Sequence, residues 1–147
     1  MKIALAQQNY TIGDFKGNTK KIIRCIDRAK SAGARLVVFS EQAISGAPAY
    51  DLLNEVTFLD LCEESLEEIA LHCDGISALV GMPTQSINKT ISVAALIENR
   101  KIVRYIGKKN IESRDEMWHI RPSKGCEYLK IGDTKIAVVV GEDIHTE

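Results

Sequence analysis

The spacing of apolar residues changes twice along the first forty positions, and each change marks a different predicted element. Residues 2–7 alternate isoleucine and leucine with small residues, as a strand does. Residues 19–32 carry apolar side chains at helical spacing, with lysine and arginine opposite, and Gly33 ends this predicted helix. Residues 36–40 form a short apolar run, typical of a strand covered on both faces. The chain therefore begins as strand, helix, strand.

The same reasoning extends to the rest of the chain. Asp14 or Asn18 is expected to cap the first helix. A second amphipathic helix is predicted after a loop that carries Gly46 and Pro48. A hairpin is predicted near the C-terminus, around Gly132 and the residue after it. The second helix is predicted at about Val56–Cys73. The predicted strands of this part of the chain are Ile76–Met82, Ile91–Glu98, Lys101–Ile106, Glu127–Lys130 and Lys135–Val140.

This order of elements predicts an α/β architecture with helices packed on a mixed sheet, in one domain over residues 1–147. The segment from Lys108 to Gly125 is polar and lacks a clear period, and loops of this length are often functional. Nothing follows the last predicted strand to cover its surroundings. We therefore expect open strand edges and apolar surface that a second copy of the chain would cover, giving a homo-oligomer.

Composition narrows the possible functions. Nineteen lysines and arginines nearly balance twenty aspartates and glutamates, for a net charge of −1. Without a basic face, nucleic acid and membrane surfaces are disfavoured as partners. The N-terminus becomes polar too soon for a signal peptide, and no apolar run approaches the length of about 20 residues that a membrane span needs.

The four cysteines, Cys25, Cys62, Cys73 and Cys126, form no C-x-x-C pair. They are interpreted as free thiols of a cytoplasmic protein, with no disulfide and no metal site. His72 lies beside Cys73, but no second ligand pair is near in the sequence.

A few residues could carry chemistry. Glu41 directly follows a buried strand, where α/β folds place their sites and where a carboxylate can act as a general base. Lys108 and Glu116 lie in the polar segment, where solvated surface charge is the alternative explanation. Trp118 and His119 could line a pocket, although a lone tryptophan more often anchors a loop to the core.

Several runs, considered together, resemble a known family. They are residues 1–14, residues 18–22 and residues 33–41, followed by Gly46 and Pro48. This pattern strongly resembles the nitrilase (carbon–nitrogen hydrolase) superfamily, and within it the glutaminase domain of glutamine-dependent NAD synthetases. The resemblance implies the N-terminal portion of an α-β-β-α sandwich. It also implies hydrolysis of a small amide such as glutamine, with ammonia passed to a separate synthetase domain. This domain would need no cofactor, since ATP and magnesium would serve only the synthetase domain.

The resemblance also assigns roles to individual residues. Glu41 matches the general base that takes a thiol proton, and Lys108 matches the lysine that stabilises oxyanion charge. Glu116 matches a second glutamate that orients the lysine. The family nucleophile is a cysteine at the end of the last strand, and Gly141 occupies that position here. Cys126 is interpreted as a partly buried thiol and not as a replacement nucleophile.

Two departures therefore bear on activity. Glycine offers no thiol, which predicts a chain unable to form a thioester at this position. The loop between Lys108 and Glu116 is also shorter than the family pattern and lacks its aromatic residues. The alternative hypothesis is a catalytically dead nitrilase-fold domain retained for assembly or ligand binding. A flavodoxin-like binding domain fits the order of elements, but no glycine-rich phosphate loop follows the first strand.

Overall fold

The computed structural model describes residues 1–112 and 118–145. Five strands form one sheet in the order β1-β2-β3-β4-β5, and two further strands form a separate hairpin. Short 3-10 helices span Tyr50–Asn54 and Gly141–His145. The main elements are β1 (Ile3–Ala6), α1 (Phe15–Ser31), β2 (Leu36–Phe39), α2 (Val56–Ala70), β3 (Ser77–Ser86), β4 (Lys89–Glu98), β5 (Lys101–Gly107), β6 (Glu127–Ile131) and β7 (Thr134–Val138).

The first helix begins where its capping residue predicts. The Asp14 carboxylate accepts a hydrogen bond from the Gly17 N–H at 3.0 Å, which satisfies one of the free donors of the first turn. Asn18, the other candidate cap, lies instead within α1. Its buried side-chain amide donates to the carbonyls of Thr11 and Ile44. Asn18 thus ties the helix to the loop that follows β2.

The sheet is mixed, as predicted. Strands β1, β2 and β3 run parallel, whereas β3, β4 and β5 are joined as antiparallel hairpins. The β3–β4 turn consists of Ile87 and Asn88 and the β4–β5 turn of Asn99 and Arg100, and all four residues have positive φ. Two central residues of this kind give the tight turn whose twist matches a hairpin.

Each face of the sheet is covered by a different layer. Helices α1 and α2 pack on one face and bury the larger apolar cluster, which includes Ile22, Leu66 and Val80. The β6–β7 hairpin packs on the other face and buries a smaller cluster around Leu96 and Leu129. The result is a helix–sheet–sheet arrangement, which accounts for three layers of the expected sandwich.

The structure differs from the predicted elements mainly at their ends. Helix α1 begins four residues before its predicted start, and α2 ends three residues before its predicted end. Strand β7 stops at Val138, two residues before the predicted end, because the chain turns into the 3-10 helix that begins at Gly141. At the sheet edge, β1 leaves two apolar side chains largely exposed, Ile3 at 43% and Leu5 at 80%. These two side chains give β1 an apolar surface that is open to solvent.

Candidate active site

Glu41 is positioned by a close approach between two strands. It lies two residues beyond β2, in a loop that runs against Gly81 of β3. A Cβ at Gly81 would lie 2.7 Å from the Glu41 Cα, so this path of the chain requires a glycine there. The Ile44 N–H donates to the Gly81 carbonyl at 3.2 Å, which holds the loop in place.

Lys108 reaches the same region from the end of β5. Its backbone N–H donates to the Ser92 carbonyl at 2.8 Å, and its own carbonyl accepts from the Ser123 N–H at 2.7 Å. Two neighbouring segments therefore fix its backbone. Its side chain is only 1% exposed, which is unusual for lysine and requires a charged partner.

Carboxylates supply that partner. The Lys108 Nζ lies 3.2 Å from Glu41 Oε1 and 3.3 Å from Oε2, and it also forms an ion pair with Glu142. Glu41 accepts a further hydrogen bond, from the Ser92 hydroxyl, at 2.7 Å. The site is therefore a lysine ammonium between two carboxylates that stay partly exposed, at 24% for Glu41 and 30% for Glu142.

The titration of Glu142 reflects these contacts. Partial burial raises the pKa of its carboxyl, but the hydrogen bond from Lys108 and the charges of Lys108 and His145 lower it. The net result is a pKa below the ordinary value for glutamate. The carboxylate is therefore ionised at neutral pH and remains an effective partner of the lysine.

Gly141 lies beside this cluster, and its missing side chain would point into it. Its φ is +54°, a left-handed conformation that glycine adopts without strain. A Cβ at this position would lie 2.5 Å from Glu41 Oε2 and 3.0 Å from Lys108 Nζ. The position that the sequence resemblance assigns to the nucleophile thus faces both Glu41 and Lys108 directly.

Asp143 anchors the turn that carries Gly141. Its carboxylate is buried and accepts hydrogen bonds from the backbone N–H of Lys109, at 2.9 and 3.1 Å, and from that of Asn110, at 2.6 Å. Because Glu142 and Asp143 contact three successive residues, the turn and the segment after β5 are held together. The relative position of Gly141 and Lys108 depends on these contacts.

The cleft next to this cluster is small. A cavity of about 80 Å³ lies between the sheet and the hairpin, with Glu41 and Gly141 in its wall. The rest of the lining includes Val38, Leu79 and Val93, so the space beside the charged groups is apolar. In low-dielectric surroundings of this kind, charge–charge interactions are stronger than in water.

The other residues singled out from the sequence lie away from this cluster or outside the described residues. Glu116 lies outside the described residues, and its supporting role stays a prediction. Trp118 is 77% exposed and does not anchor the loop to the core, contrary to the alternative considered from the sequence. His119 Nδ1 lies 2.9 Å from the Asn54 side-chain amide. Cys126 is exposed, which corrects the expectation of a partly buried thiol.

Cys62 of α2 and Cys73, three residues beyond that helix, are poorly suited to act as nucleophiles. Cys62 and Cys73 are buried, and burial raises the pKa of each thiol to about 12.

Residues 1–112 and 118–145 contain no cluster of three or more histidine, cysteine and acidic side chains that could hold a metal ion. In the same described ranges, no helix has the length and apolar character needed to span a membrane.

Three side chains of this site, Ser92, Glu142 and Asp143, were not selected from the sequence. Ser92 is a polar residue within the apolar middle of β4, which was a usable signal because a buried hydroxyl needs a partner. Glu142 and Asp143 directly follow Gly141 in the sequence. Their partners lie more than thirty residues away and are identified by the tertiary structure alone.

Comparisons with known proteins identify the family of this chain. The model of the family described as carbon-nitrogen hydrolase matches residues 2–110. The glutamine-dependent NAD(+) synthetase of Thermotoga maritima is 33% identical over 149 residues, which cover 98% of this chain and 26% of the relative. That of Synechocystis sp. is 33% identical over 153 residues, covering 97% and 27%. The chain thus spans about a quarter of the length of these curated relatives.

Solved structures show the same fold. The glutamine-dependent NAD+ synthetase of Acinetobacter baumannii, in complex with ADP, superposes with a TM-score of 0.90 at 25% identity, covering 98% of this chain and 28% of that one. The amidase of Nesterenkonia sp., a nitrilase-superfamily protein, superposes with a TM-score of 0.86 at 21% identity, covering 98% and 56%. The predicted nitrilase-like fold is confirmed, and this chain belongs to the carbon–nitrogen hydrolase family.

Proposed function

We propose that this chain is a glutaminase-type domain of a glutamine-dependent NAD synthetase-like protein, and that Gly141 deprives it of the covalent step. Its site would bind a small amide such as glutamine beside Glu41 and Lys108. The observation that carries the proposal is the direction of the Gly141 Cα–Cβ vector, which points at Glu41 Oε2 and Lys108 Nζ. A thiol there would lie next to a base and a cation.

The geometry suits amide hydrolysis with a thiol present. Glu41 would take the thiol proton, and the sulfur would attack the amide carbon, forming a carbon–sulfur bond. Lys108 would stabilise the oxyanion, and ammonia would leave with the proton that Glu41 returns. Water would then cleave the thioester to the carboxylic acid and the free thiol. With glycine at position 141, the first bond cannot form.

The remaining assignments follow from the similarity to NAD synthetases. The ammonia from glutamine would pass to a synthetase domain that uses ATP and magnesium, and this domain itself would need no cofactor. Glu116 would orient Lys108 and keep it charged, as the family pattern implies. A cytoplasmic location suits the free thiols.

One observation favours the alternative, a nitrilase-fold domain retained for assembly or ligand binding. The Lys108 ammonium already contacts Glu41 and Glu142, so a substrate oxygen would compete with two carboxylates for it. An amide could still bind in the cleft through its own N–H groups, since both carboxylates accept hydrogen bonds. Such a domain would bind amides without hydrolysing them.

Restoring the nucleophile tests the proposal. Gly141→Cys and Gly141→Ser would be made in a Cys126→Ser background, so that the introduced thiol is the only exposed one among the described cysteines. Ammonia released from glutamine would be measured for each variant and for the unaltered chain. We expect release from Gly141→Cys alone.

The other outcomes are equally informative. No release from a folded Gly141→Cys variant would support the non-catalytic alternative. Turnover by the unaltered chain would show that Gly141 does not mark a lost nucleophile, and its disappearance in Cys126→Ser would identify Cys126 as the nucleophile in its place.

A further inference from the structure

Ser92 contacts both Glu41 and Lys108, two of the predicted catalytic residues. It lies in β4 and is fully buried. Its hydroxyl donates to Glu41 Oε1 at 2.7 Å, and its backbone carbonyl accepts from the Lys108 N–H at 2.8 Å. A single residue thus links the loop after β2 to the end of β5.

The hydroxyl contact affects the orientation of the Glu41 carboxylate. The last side-chain torsion of glutamate is broad, so an unrestrained carboxylate rotates easily. With Oε1 held by Ser92, Oε2 is directed at the space beside Gly141, where a Cβ would lie 2.5 Å away. Oε2, the oxygen that would accept a proton, is therefore oriented by the hydrogen bond that Ser92 makes to Oε1.

The location of Ser92 also argues against a purely structural role. The side chains that share its face of β4, Ala94 and Leu96, pack toward the β6–β7 hairpin in an apolar cluster. A hydroxyl buried there costs stability unless it is hydrogen-bonded, and the partner it has is the Glu41 carboxylate. An alanine would fill the same place without that requirement.

A second buried hydroxyl–carboxylate contact provides a comparison. Thr84 of β3 donates to Glu63 of α2, which also accepts from the Tyr105 hydroxyl at 2.8 Å. That contact joins helix α2 to strands β3 and β5. Ser92 differs because each of its two contacts leads to a residue of the candidate site.

We propose that Ser92 is a positioning residue, whose hydroxyl holds the Glu41 carboxylate turned toward Lys108 and the side-chain direction of residue 141. The proposal concerns the arrangement of Glu41 and does not require that the chain hydrolyse amides. It extends the proposed function by naming the group that would orient its general base.

Carboxyl ¹³C NMR of the full chain, titrated against pH, tests this assignment. The Glu41 signal would be identified from its absence in Glu41→Gln. Loss of a hydrogen bond to the charged form raises the pKa of a carboxyl. Ser92→Ala leaves Lys108 and Glu142, the described charged groups around Glu41, in place. We therefore expect this substitution to raise the midpoint of the Glu41 titration by about one pH unit.

Matched variants separate positioning from packing. Ser92→Thr keeps the hydroxyl and should restore the midpoint, and Ser92→Cys, close in volume but a weak donor, should behave like alanine. Ser65→Ala removes another buried serine hydroxyl, on α2, and should leave the Glu41 midpoint unchanged. If Ser92→Ala or Ser92→Cys lowers stability with an unchanged Glu41 midpoint, the role is structural and the proposal is wrong.

Discussion

The Lys108 ammonium and the Glu142 carboxylate form an ion pair in which the lysine side chain is only 1% exposed. Glu142 directly follows Gly141, so the pair joins the turn at Gly141 to the end of β5. Removal of one partner of a buried ion pair costs more than the pair itself contributes, because the other charge is left uncompensated. This asymmetry makes the site testable through stability as well as activity.

Replacement of Lys108 should destabilise the protein. Lys108→Met removes the ammonium that Glu41 and Glu142 share, and we expect a loss of about 2 kcal/mol, below the range for fully buried pairs because both carboxylates are partly exposed. Urea denaturation measures it. Lys109→Met, at the exposed neighbouring lysine, is the control and should change stability little. Equal losses in both variants would contradict the prediction.

Stability should depend on pH through Glu142. The folded protein lowers the pKa of this carboxyl, so the contribution is fully present above the unfolded value of about 4.3 and is lost as pH falls through the lower folded pKa. Denaturation midpoints of Glu142→Gln and the unaltered chain should therefore differ at pH 7 and converge toward pH 3. Glu68→Gln, on the exposed face of α2, should show no such convergence.

A side chain at position 141 should cost more than backbone strain alone. Gly13 and Gly141 both have positive φ, but a Cβ at Gly13 would meet nothing within 4 Å. Each alanine substitution should cost about 1–2 kcal/mol for the left-handed backbone. We expect Gly141→Ala to cost about 1 kcal/mol more, because the added Cβ would lie 2.5 Å from Glu41 Oε2 and the carboxylate must shift.

A second background checks that explanation. In Glu41→Ala, the 2.5 Å contact with Oε2 is absent and only Lys108 atoms, at 3.0 and 3.1 Å, remain close to the added Cβ, so most of the difference in unfolding free energy between the two glycine substitutions should disappear. If the difference between them persists in that background, Glu41 is not its cause.

Self-association is expected at the edge of β1. Ile3 and Leu5 are largely exposed there, and an open strand edge can pair with the same edge of a second copy. Sedimentation at micromolar concentration should therefore detect a dimer, and Leu5→Lys should shift it toward monomer. Ile87→Lys, at a 93% exposed turn residue, is the control and should leave the dimer intact. A monomeric unaltered chain would contradict the prediction.

Sequence patterns predicted the parts of this fold that depend on local spacing. The two helices, the mixed sheet and the C-terminal hairpin followed from apolar periodicity and turn residues. Glu41 was selected because it follows a strand, whereas Lys108 was assigned from the family resemblance. Strand ends were less accurate, since the end of β7 depends on the turn at Gly141. The contacts of Ser92, Glu142 and Asp143 could not be predicted, because each joins segments that only the folded sheet brings together.

The two-residue turn between β3 and β4 has a consequence for the insertions and deletions this chain can tolerate. Ile87 is almost fully exposed, and an exposed turn is ordinarily a permissive place to change chain length. Here the turn sets a register in which Ser92 lies opposite Pro83. Because alternate residues of a strand face opposite sides, a slip of one residue would carry Ser92 to the helix side and put an isoleucine or valine beside Glu41. The length of a surface turn is therefore as strict a requirement for this site as the identity of its buried residues.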